Sequence, residues 1–157
     1  MIKVLFICHG NICRSPVAEF ILRDLAENEG LEDLIYCESR ATHTDEIWNG
    51  HGSPVYPPME ELLSRHGINC TGKRAQLISL ADYDSFDMLI GMDEENMRVL
   101  KRKFGGDPEG KVRLLTEFGG DRQYIEDPWY TGNFERVYRQ IEEGCEGLME
   151  YIKENCL

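Results

Sequence analysis

The first thirty residues pair a short apolar strand with a helix, and this pairing restricts the fold more than any other feature of the chain. Residues 2–7, "IKVLFI", form a continuous apolar run of strand length, which is typical of a strand covered on both faces. A helix is predicted next, because Ser15 can cap it, Pro16 suits its first turn and Gly30 can end it. A strand followed directly by such a helix indicates a parallel sheet.

The same alternation continues to the end of the chain. Further strands are predicted at 34–39, 86–92 and 111–115, and further helices at 58–68, 93–106 and 134–155. Two long loops, 40–58 and 119–133, follow the second and fourth strands, and loops of this length usually have a function. The sequence therefore predicts an α/β fold, with a four-stranded parallel sheet flanked by helices on both faces.

Charge and cysteine distribution argue against several classes of partner. The 157 residues include 17 basic and 29 acidic side chains, giving a net charge of −12, which disfavours nucleic acid and anionic membranes. A secretory leader pattern and an apolar stretch of membrane-spanning length are both missing. The six cysteines are dispersed through the chain, as in proteins that keep their thiols reduced. We therefore expect a cytoplasmic protein without membrane or nucleic-acid partners.

Residues 8–15, "CHGNICRS", join the first strand to the first helix and have the composition of an anion site. Backbone N–H groups at such a junction can surround an anion, and the helix dipole adds partial positive charge. Gly10 and Asn11 tolerate the left-handed backbone of a tight loop, and Arg14 offers paired donors to phosphate oxygens. Cys8 would lie at the base of this cradle as a thiolate, with Ser15 donating to its sulfur. The loop therefore predicts a nucleophile aimed at phosphorus.

The second long loop offers a proton donor for the leaving group. Asp127, in "EDPWY", can protonate a departing oxygen and then act as base for the attacking water. An ordinary turn is the alternative, because Asp-Pro is a common turn dipeptide. Trp48 and Trp129, one in each long loop, either form aromatic walls for an aryl group or anchor their loops to the core.

The segments "VLFICHGNICRSPVAE" and "DPWY" together closely resemble the low-molecular-weight protein tyrosine phosphatases. The resemblance extends over almost the whole chain and includes "WNGHGSP", "RHGI" and "FDMLIGMDEEN". It implies a four-stranded parallel sheet, a cytoplasmic location, and no metal or other cofactor. It also implies hydrolysis of phosphotyrosine and small aryl phosphates through a phosphocysteine intermediate, with inorganic phosphate as product. The expected organisation is one phosphatase domain over residues 1–157, acting as a monomer.

The resemblance also implies a role for individual residues. Cys8 corresponds to the nucleophile, Arg14 to the phosphate clamp and Asp127 to the general acid and base. The residues expected around the substrate are His9, Gly10, Asn11, Ile12, Cys13, Ser15, Trp48, Trp129 and Tyr130. The residues that match a hydrogen-bond network supporting the loop are Asn11, Ser15, Ser39 and His66. Cys13 matches a cysteine that can form a reversible disulfide with Cys8 and so protect it from over-oxidation.

Some positions bear on substrate or depart from the family pattern. Ile12 is typical of the phosphotyrosine enzymes, whereas relatives that cleave phosphoarginine have threonine there. Arg40 replaces a small residue and is expected to be solvated, and Gln76 replaces a common arginine and is expected to change surface contacts. His9 replaces leucine or threonine and is expected to point away from the site.

Three other functions are consistent with parts of the pattern. A thioredoxin-coupled arsenate reductase shares the loop and fold but needs two resolving cysteines on a mobile segment, where this chain has only Cys70. A non-catalytic phosphate-binding or redox-sensing module would bind phosphate without hydrolysing it. A zinc site is disfavoured, because Cys8 and Cys13 lack a second pair of suitably spaced ligands.

Overall fold

The computed structural model describes residues 1–119 and 123–157. The strands are β1 (Ile2–Cys8), β2 (Ile35–Ala41), β3 (Ile47–Trp48), β4 (His51–Gly52), β5 (Met88–Gly91) and β6 (Val112–Leu114). The helices are α1 (Arg14–Asn28), α2 (Pro57–Arg65), α3 (Leu80–Ser85), α4 (Glu94–Lys103), α5 (Pro128–Thr131) and α6 (Phe134–Asn155), with a 3-10 turn at Leu115–Glu117.

Four of these strands form one parallel sheet in the order β2-β1-β5-β6. The central strand β1 is buried on both faces, as its continuous apolar sequence predicts. Val4 and Phe6 pack in the core shared with α1 and α6, whereas Leu5 and Ile7 pack in a second core that includes Leu100 of α4. The predicted fold class, a four-stranded parallel sheet with helices on both faces, is confirmed.

The strand order places the end of β1 at the natural binding edge of the sheet. From β1 the chain passes to β2 on one side and later to β5 on the other, so the order reverses between β1 and β5. Ligands of open parallel sheets bind outside the carboxyl ends of the strands at such a reversal. Loop 8–15 leaves β1 at this position, beside the turn that follows β5.

Several short elements were not predicted. The first long loop contains the β3–β4 hairpin, α3 follows it, and the second long loop contains α5. Such elements are too short to show helical or strand periodicity in the sequence. In α3, the Ser79 backbone N–H donates to the Asp82 side chain at 2.9 Å, a local contact that holds the first turn. Residues 120–122 of the second loop lie outside the described residues.

Among residues 1–119 and 123–157, no helix combines the length and apolar character of a membrane span.

Candidate active site

Loop 8–15 forms a concave turn around the Cys8 side chain. Cys8 ends β1 and is buried, and its sulfur lies 3.4 Å from the backbone nitrogen of Ser15 and 3.0 Å from the Ser15 hydroxyl oxygen. Asn11 has a φ of 60°, which is the left-handed conformation expected at this position. The N-terminus of α1 begins at Arg14, so helix N–H groups and the helix dipole face the sulfur.

A buried hydrogen-bond chain determines which way the Ser15 hydroxyl points. The Asn11 amide donates to Ser39 Oγ at 2.9 Å and to Ser15 Oγ at 2.8 Å. Ser39 in turn donates to the Glu19 carboxylate at 2.6 Å. Because Ser15 Oγ accepts from Asn11, its own proton is free to point at Cys8. The chain therefore leaves a hydroxyl donor for the sulfur.

Glu19 terminates this chain and was missed by the sequence analysis. It is 4% exposed, and its oxygens lie 2.8 Å from Arg23 and 3.2 Å from Lys73. Burial lowers the pKa of Lys73, although the Glu19 charge opposes that change. Glu19 thus accepts at the end of the chain, between the cations of Arg23 and Lys73. A signal for Glu19 did exist, because it follows Ser15 by four residues and so shares its face of the helix.

Arg14 is held rigidly at the side of the cradle. It is 2% exposed and donates to Asp93 at 2.7 Å and to the Ile125 carbonyl at 2.8 Å. Burial opposes the charged form, but the neighbouring Cys8 and Asp93 charges outweigh it and raise the pKa of Arg14. Arg14 is thus a permanent cation with a fixed orientation. Asp93, which also caps α4 through the Asn96 N–H, was not identified from the sequence.

Asp127 comes close to the cradle from the second long loop. One of its oxygens accepts from the Trp129 N–H at 3.1 Å and so caps α5. The other lies 3.6 Å from the Arg14 guanidinium. One surface cavity is lined by Cys8, Arg14 and Asp127, although 119 positions separate Cys8 from Asp127 in the sequence.

Comparisons with known proteins identify the family. The family model of the low molecular weight phosphotyrosine protein phosphatases matches residues 3–156. The chain belongs to this family.

Individual relatives of this phosphatase cover nearly its full length. The low molecular weight protein-tyrosine-phosphatase YfkJ of Bacillus subtilis is 42% identical over 156 residues, 98% of this chain and 97% of YfkJ. The YfkJ crystal structure matches with a TM-score of 0.92 at 40% identity, covering 100% of this chain and 98% of YfkJ. The low molecular weight phosphotyrosine protein phosphatase of Gallus gallus is 39% identical over 154 residues, 94% of each chain. A Drosophila arginine phosphatase structure has a TM-score of 0.88 at 31% identity, covering 98% of this chain and 99% of the other.

The cavity of the phosphatase contains most of the residues expected around a substrate. It is lined by Cys8, His9, Gly10, Ile12, Cys13, Arg14, Asp45, Glu46, Asp127, Trp129 and Tyr130. Trp129 and Tyr130 are 52% and 82% exposed and form the aromatic side of the entrance. Asp45 and Glu46, on the opposite loop, were not singled out from the sequence. Asn11 and Ser15 are fully buried beneath the wall, so they support the cavity and do not line it.

Three expectations differ from the structure of the phosphatase. Trp48 lies outside the cavity lining, because the β3–β4 hairpin holds it in solvent at 80% exposure. His9 does not point away from the site but lies in the cavity wall. Arg40 is not solvated, since it pairs with Glu38 at 3.0 Å and Asp82 at 3.6 Å.

His66 lies apart from the supporting network. At the end of α2 its Nδ1 contacts the Leu62 carbonyl at 2.8 Å, and its ring stacks on Tyr138 with centroids 4.8 Å apart. Among the described residues, the network beneath the loop is completed by Glu19 and Lys73, and Lys73 also donates to the Ser39 carbonyl at 3.1 Å. The expected role of His66 in the network is therefore wrong. Gln76 joins the network through its backbone N–H, which donates to Asn11 Oδ1 at 3.0 Å.

Cys13 lies in the same cavity wall as Cys8, and both thiols are free. Burial raises the pKa of Cys13, and the charges of Cys8 and Asp127 add to this effect. Cys13 is thus a neutral thiol at physiological pH. The reversible disulfide between Cys8 and Cys13 stays a prediction.

Proposed function

We propose that this phosphatase hydrolyses phosphotyrosine in proteins through a phosphocysteine intermediate on Cys8. The observation that carries the proposal is the position of the Cys8 sulfur, which receives a backbone and a hydroxyl donor at the floor of a cavity that Arg14 and Asp127 also line. These are the parts that phosphoryl transfer to a thiolate requires: a nucleophile, donors for the equatorial oxygens and an acid.

In the first step the thiolate of Cys8 attacks phosphorus. The S–P bond forms as the P–O bond to the tyrosine breaks, and Asp127 gives its proton to the departing phenolate oxygen. The loop N–H groups and the Arg14 guanidinium hold the other phosphate oxygens. Asp93 keeps Arg14 oriented through the hydrogen bond at 2.7 Å.

In the second step water replaces the sulfur. Asp127, now ionised, takes a proton from the water as its oxygen attacks phosphorus, the S–P bond breaks and inorganic phosphate forms. The hydroxyl of Ser15 donates to the departing sulfur. Its proton is free for this contact because the Ser15 oxygen accepts from the Asn11 amide. Neither step uses a metal or another cofactor.

The cavity wall favours an aryl substrate. Ile12, Trp129 and Tyr130 present apolar and aromatic surface at the entrance, and a tyrosine ring gains from contact with such surface. A phosphoarginine would bring a planar guanidinium to the same wall. The Drosophila relative is named an arginine phosphatase, so phosphoarginine is the alternative substrate to be compared.

The test is the initial rate on phosphotyrosine peptide, phosphoarginine and p-nitrophenyl phosphate, each in the presence of a chelator. The wild type is expected to prefer phosphotyrosine, and Cys8→Ser to have no activity. In kcat/KM, which reports the transfer to Cys8 and not the later hydrolysis of the phosphocysteine, Asp127→Asn is expected to lose about 100-fold or more on phosphotyrosine. It should lose less on p-nitrophenyl phosphate, whose more acidic phenol depends less on a proton donor. Glu126→Gln is the matched control, because this neighbouring carboxylate contacts Asn133 at 3.2 Å and lies outside the cavity lining.

Each outcome bears on a different part of the proposal. Preference for phosphoarginine would overturn the substrate and keep the chemistry. Equal losses by Asp127→Asn on both aryl substrates would overturn the role of Asp127 as acid. No turnover by folded wild type would favour a phosphate-binding module.

A further inference from the structure

The His9 side chain bridges two elements at the rim of the cavity, and neither step of the proposed reaction uses it. Its Nε2 lies 2.7 Å from Asp45 Oδ2, and its Nδ1 lies 3.3 Å from Glu95 Oε1. Asp45 lines the cavity from the first long loop, whereas Glu95 lies in the first turn of α4. One imidazole ring therefore joins two segments that are 50 positions apart in the sequence.

This pair of contacts requires a doubly protonated ring. A carboxylate accepts hydrogen bonds and does not donate them, so each ring nitrogen must carry a proton to bond its partner. A neutral imidazole has one N–H and can bond only one of the two carboxylates, whereas the imidazolium has two. Burial opposes the charged ring, but the hydrogen bonds and charges of Asp45 and Glu95 outweigh it and raise the pKa of His9. The hydrogen bond from His9 also lowers the pKa of Asp45.

Ring stacking and backbone hydrogen bonds hold the His9 ring in place. His43 covers one face of the ring, with centroids 4.0 Å apart and an interplanar angle of 10°. The backbone N–H groups of Thr42 and His43 donate to the carbonyls of Cys8 and His9 at 3.0 and 3.1 Å. Because these bonds extend the β1–β2 pairing, the sheet sets the position of the ring, and the two carboxylates come to it from other segments.

The segments joined by this bridge both shape the cavity. On one side, Glu46 lines the cavity next to Asp45 and packs against loop 8–15, since a Cβ on Gly10 would lie 3.3 Å from Glu46 Cγ. On the other side, the first turn of α4 follows Asp93, which accepts from Arg14 at 2.7 Å. The bridge thus connects the wall of the first long loop with the turn of α4 that orients Arg14.

We propose that His9, as an imidazolium, is a positioning residue that holds the Asp45 wall against α4, and that loss of its proton weakens phosphate binding in the cavity. The proposal rests on the proposed function in taking this cavity as the phosphate site. Without the proton, one of the two carboxylates faces a ring lone pair and loses its partner. The rim also loses a positive charge that faces an incoming phosphate. Both effects weaken binding.

The pH range of this effect follows from the raised pKa of His9. The bridge is complete below the ordinary value of about 6.5 and is lost as pH rises through the raised pKa. Other titratable or charged groups also face His9, and the test must separate their effects from its own. They are Asp45, Glu46 and His43 of the first long loop, Glu95 of α4, and Cys8, Arg14 and Asp127 in the cavity.

Binding of inorganic phosphate to the Cys8→Ser protein tests the proposal without turnover. The dissociation constant is measured from about pH 5.5 to 9, with His9 intact and with His9→Gln, because glutamine can donate to one carboxylate but does not titrate. The ratio of the two constants removes the ionisation of phosphate itself. We expect His9→Gln to bind phosphate about 3-fold more weakly at the acid end and equally well at the alkaline end. His51→Gln is the matched control, because His51 is exposed on β4, and it should not change the constant at either end.

Nitrogen NMR of the histidine rings provides a readout that does not depend on a variant folding. At about pH 6, both ring nitrogens of His9 should be protonated. Asp45→Asn and Glu95→Gln should each lower the pKa of His9, which a purely structural role of the ring would not require. The proposal is overturned if the ratio for His9→Gln does not change with pH, if His51→Gln behaves in the same way, or if His9 is a neutral tautomer at about pH 6. Because binding and ring protonation are measured without turnover, a failure to hydrolyse phosphotyrosine would overturn the proposed function alone.

Discussion

Replacement of Asn11 by alanine tests whether the buried hydrogen-bond chain holds the cradle. Asn11 is 1% exposed and has a φ of 60°. Its side chain makes three described hydrogen bonds, to Ser15 at 2.8 Å, to Ser39 at 2.9 Å and from the Gln76 N–H at 3.0 Å. Alanine removes all three and must also adopt the left-handed backbone.

The two effects have separate magnitudes. Each buried hydrogen bond contributes about 1 kcal/mol net, so the loss of three lowers the free energy of unfolding by about 3 kcal/mol. Alanine has no side-chain hydrogen bond to stabilise the left-handed backbone at this position. Adopting that conformation lowers the free energy of unfolding by a further ~1 kcal/mol. We therefore expect Asn11→Ala to lose about 4 kcal/mol in total. Its turnover should also fall, because Ser15 no longer has a fixed direction for its hydroxyl.

Urea unfolding at neutral pH, followed by circular dichroism, measures the loss. Asn49→Ala is the matched control, because Asn49 also has a positive φ, 50°, but is an exposed residue of the β3–β4 turn. It should lose only the backbone contribution of about 1 kcal/mol. If Asn11→Ala loses no more than Asn49→Ala, the hydrogen-bond chain does not stabilise the loop and the reasoning is refuted.

Two further substitutions test local features away from the site. Burial opposes ionisation of Asp107, but hydrogen bonds from Tyr83 and from the Val112 and Lys111 N–H groups outweigh it and lower its pKa. This stabilisation is present above the unfolded value of about 3.9 and is lost as pH falls through the folded pKa. Asp107→Asn should therefore destabilise the protein by about 1–2 kcal/mol at pH 7 and match wild type in strong acid; a pH-independent difference in urea unfolding would contradict this. Gly147→Ala in α6 should destabilise the protein by about 2 kcal/mol or more, because a Cβ there would lie 1.9 Å from the Phe118 carbonyl oxygen. Glu146→Ala, at an exposed position of the same helix, is the control. A gain in melting temperature for Gly147→Ala, as expected for alanine in an open helix, would show that α6 shifts freely and would contradict this prediction.

The elements that the sequence predicted are those with a strong local pattern. The apolar run of β1 and the apolar spacing of α1 depend on neighbours along the chain, so both are visible without a structure. The predicted cap is wrong, because α1 begins at Arg14, ahead of Ser15, and has no side-chain cap. The short helix α3 and the β3–β4 hairpin depend on single side-chain contacts and two-residue pairings. These contacts leave no periodic signal, and they were found only in the folded chain.

The site shows the same division. Cys8 and Arg14 occupy one loop, and their chemistry was predicted from residue types and spacing. Glu19, Asp93 and Lys73 support that loop from outside it. Glu19 could have been found from its four-residue spacing to Ser15. Charged side chains are common at the surface, so nothing in the sequence distinguishes Asp93 and Lys73 from solvated residues. The error with His66 has the same origin, because a helix-end histidine can contact either the network or its own helix, and the fold decides which.

The proposed function requires a chain with a net charge of −12 to bind an anion. The cations there are paired: Arg14 contacts Asp93 at 2.7 Å, and Lys73 contacts Glu19 at 3.2 Å. Their net field is therefore small, and long-range attraction of a phosphate is weak. The backbone N–H groups of the loop act at hydrogen-bond distance, where bulk charge and screening matter little. In the proposed mechanism, oriented dipoles therefore hold phosphate at short range together with Arg14, so the shape of loop 8–15 and the buried chain that holds it matter more than the overall charge.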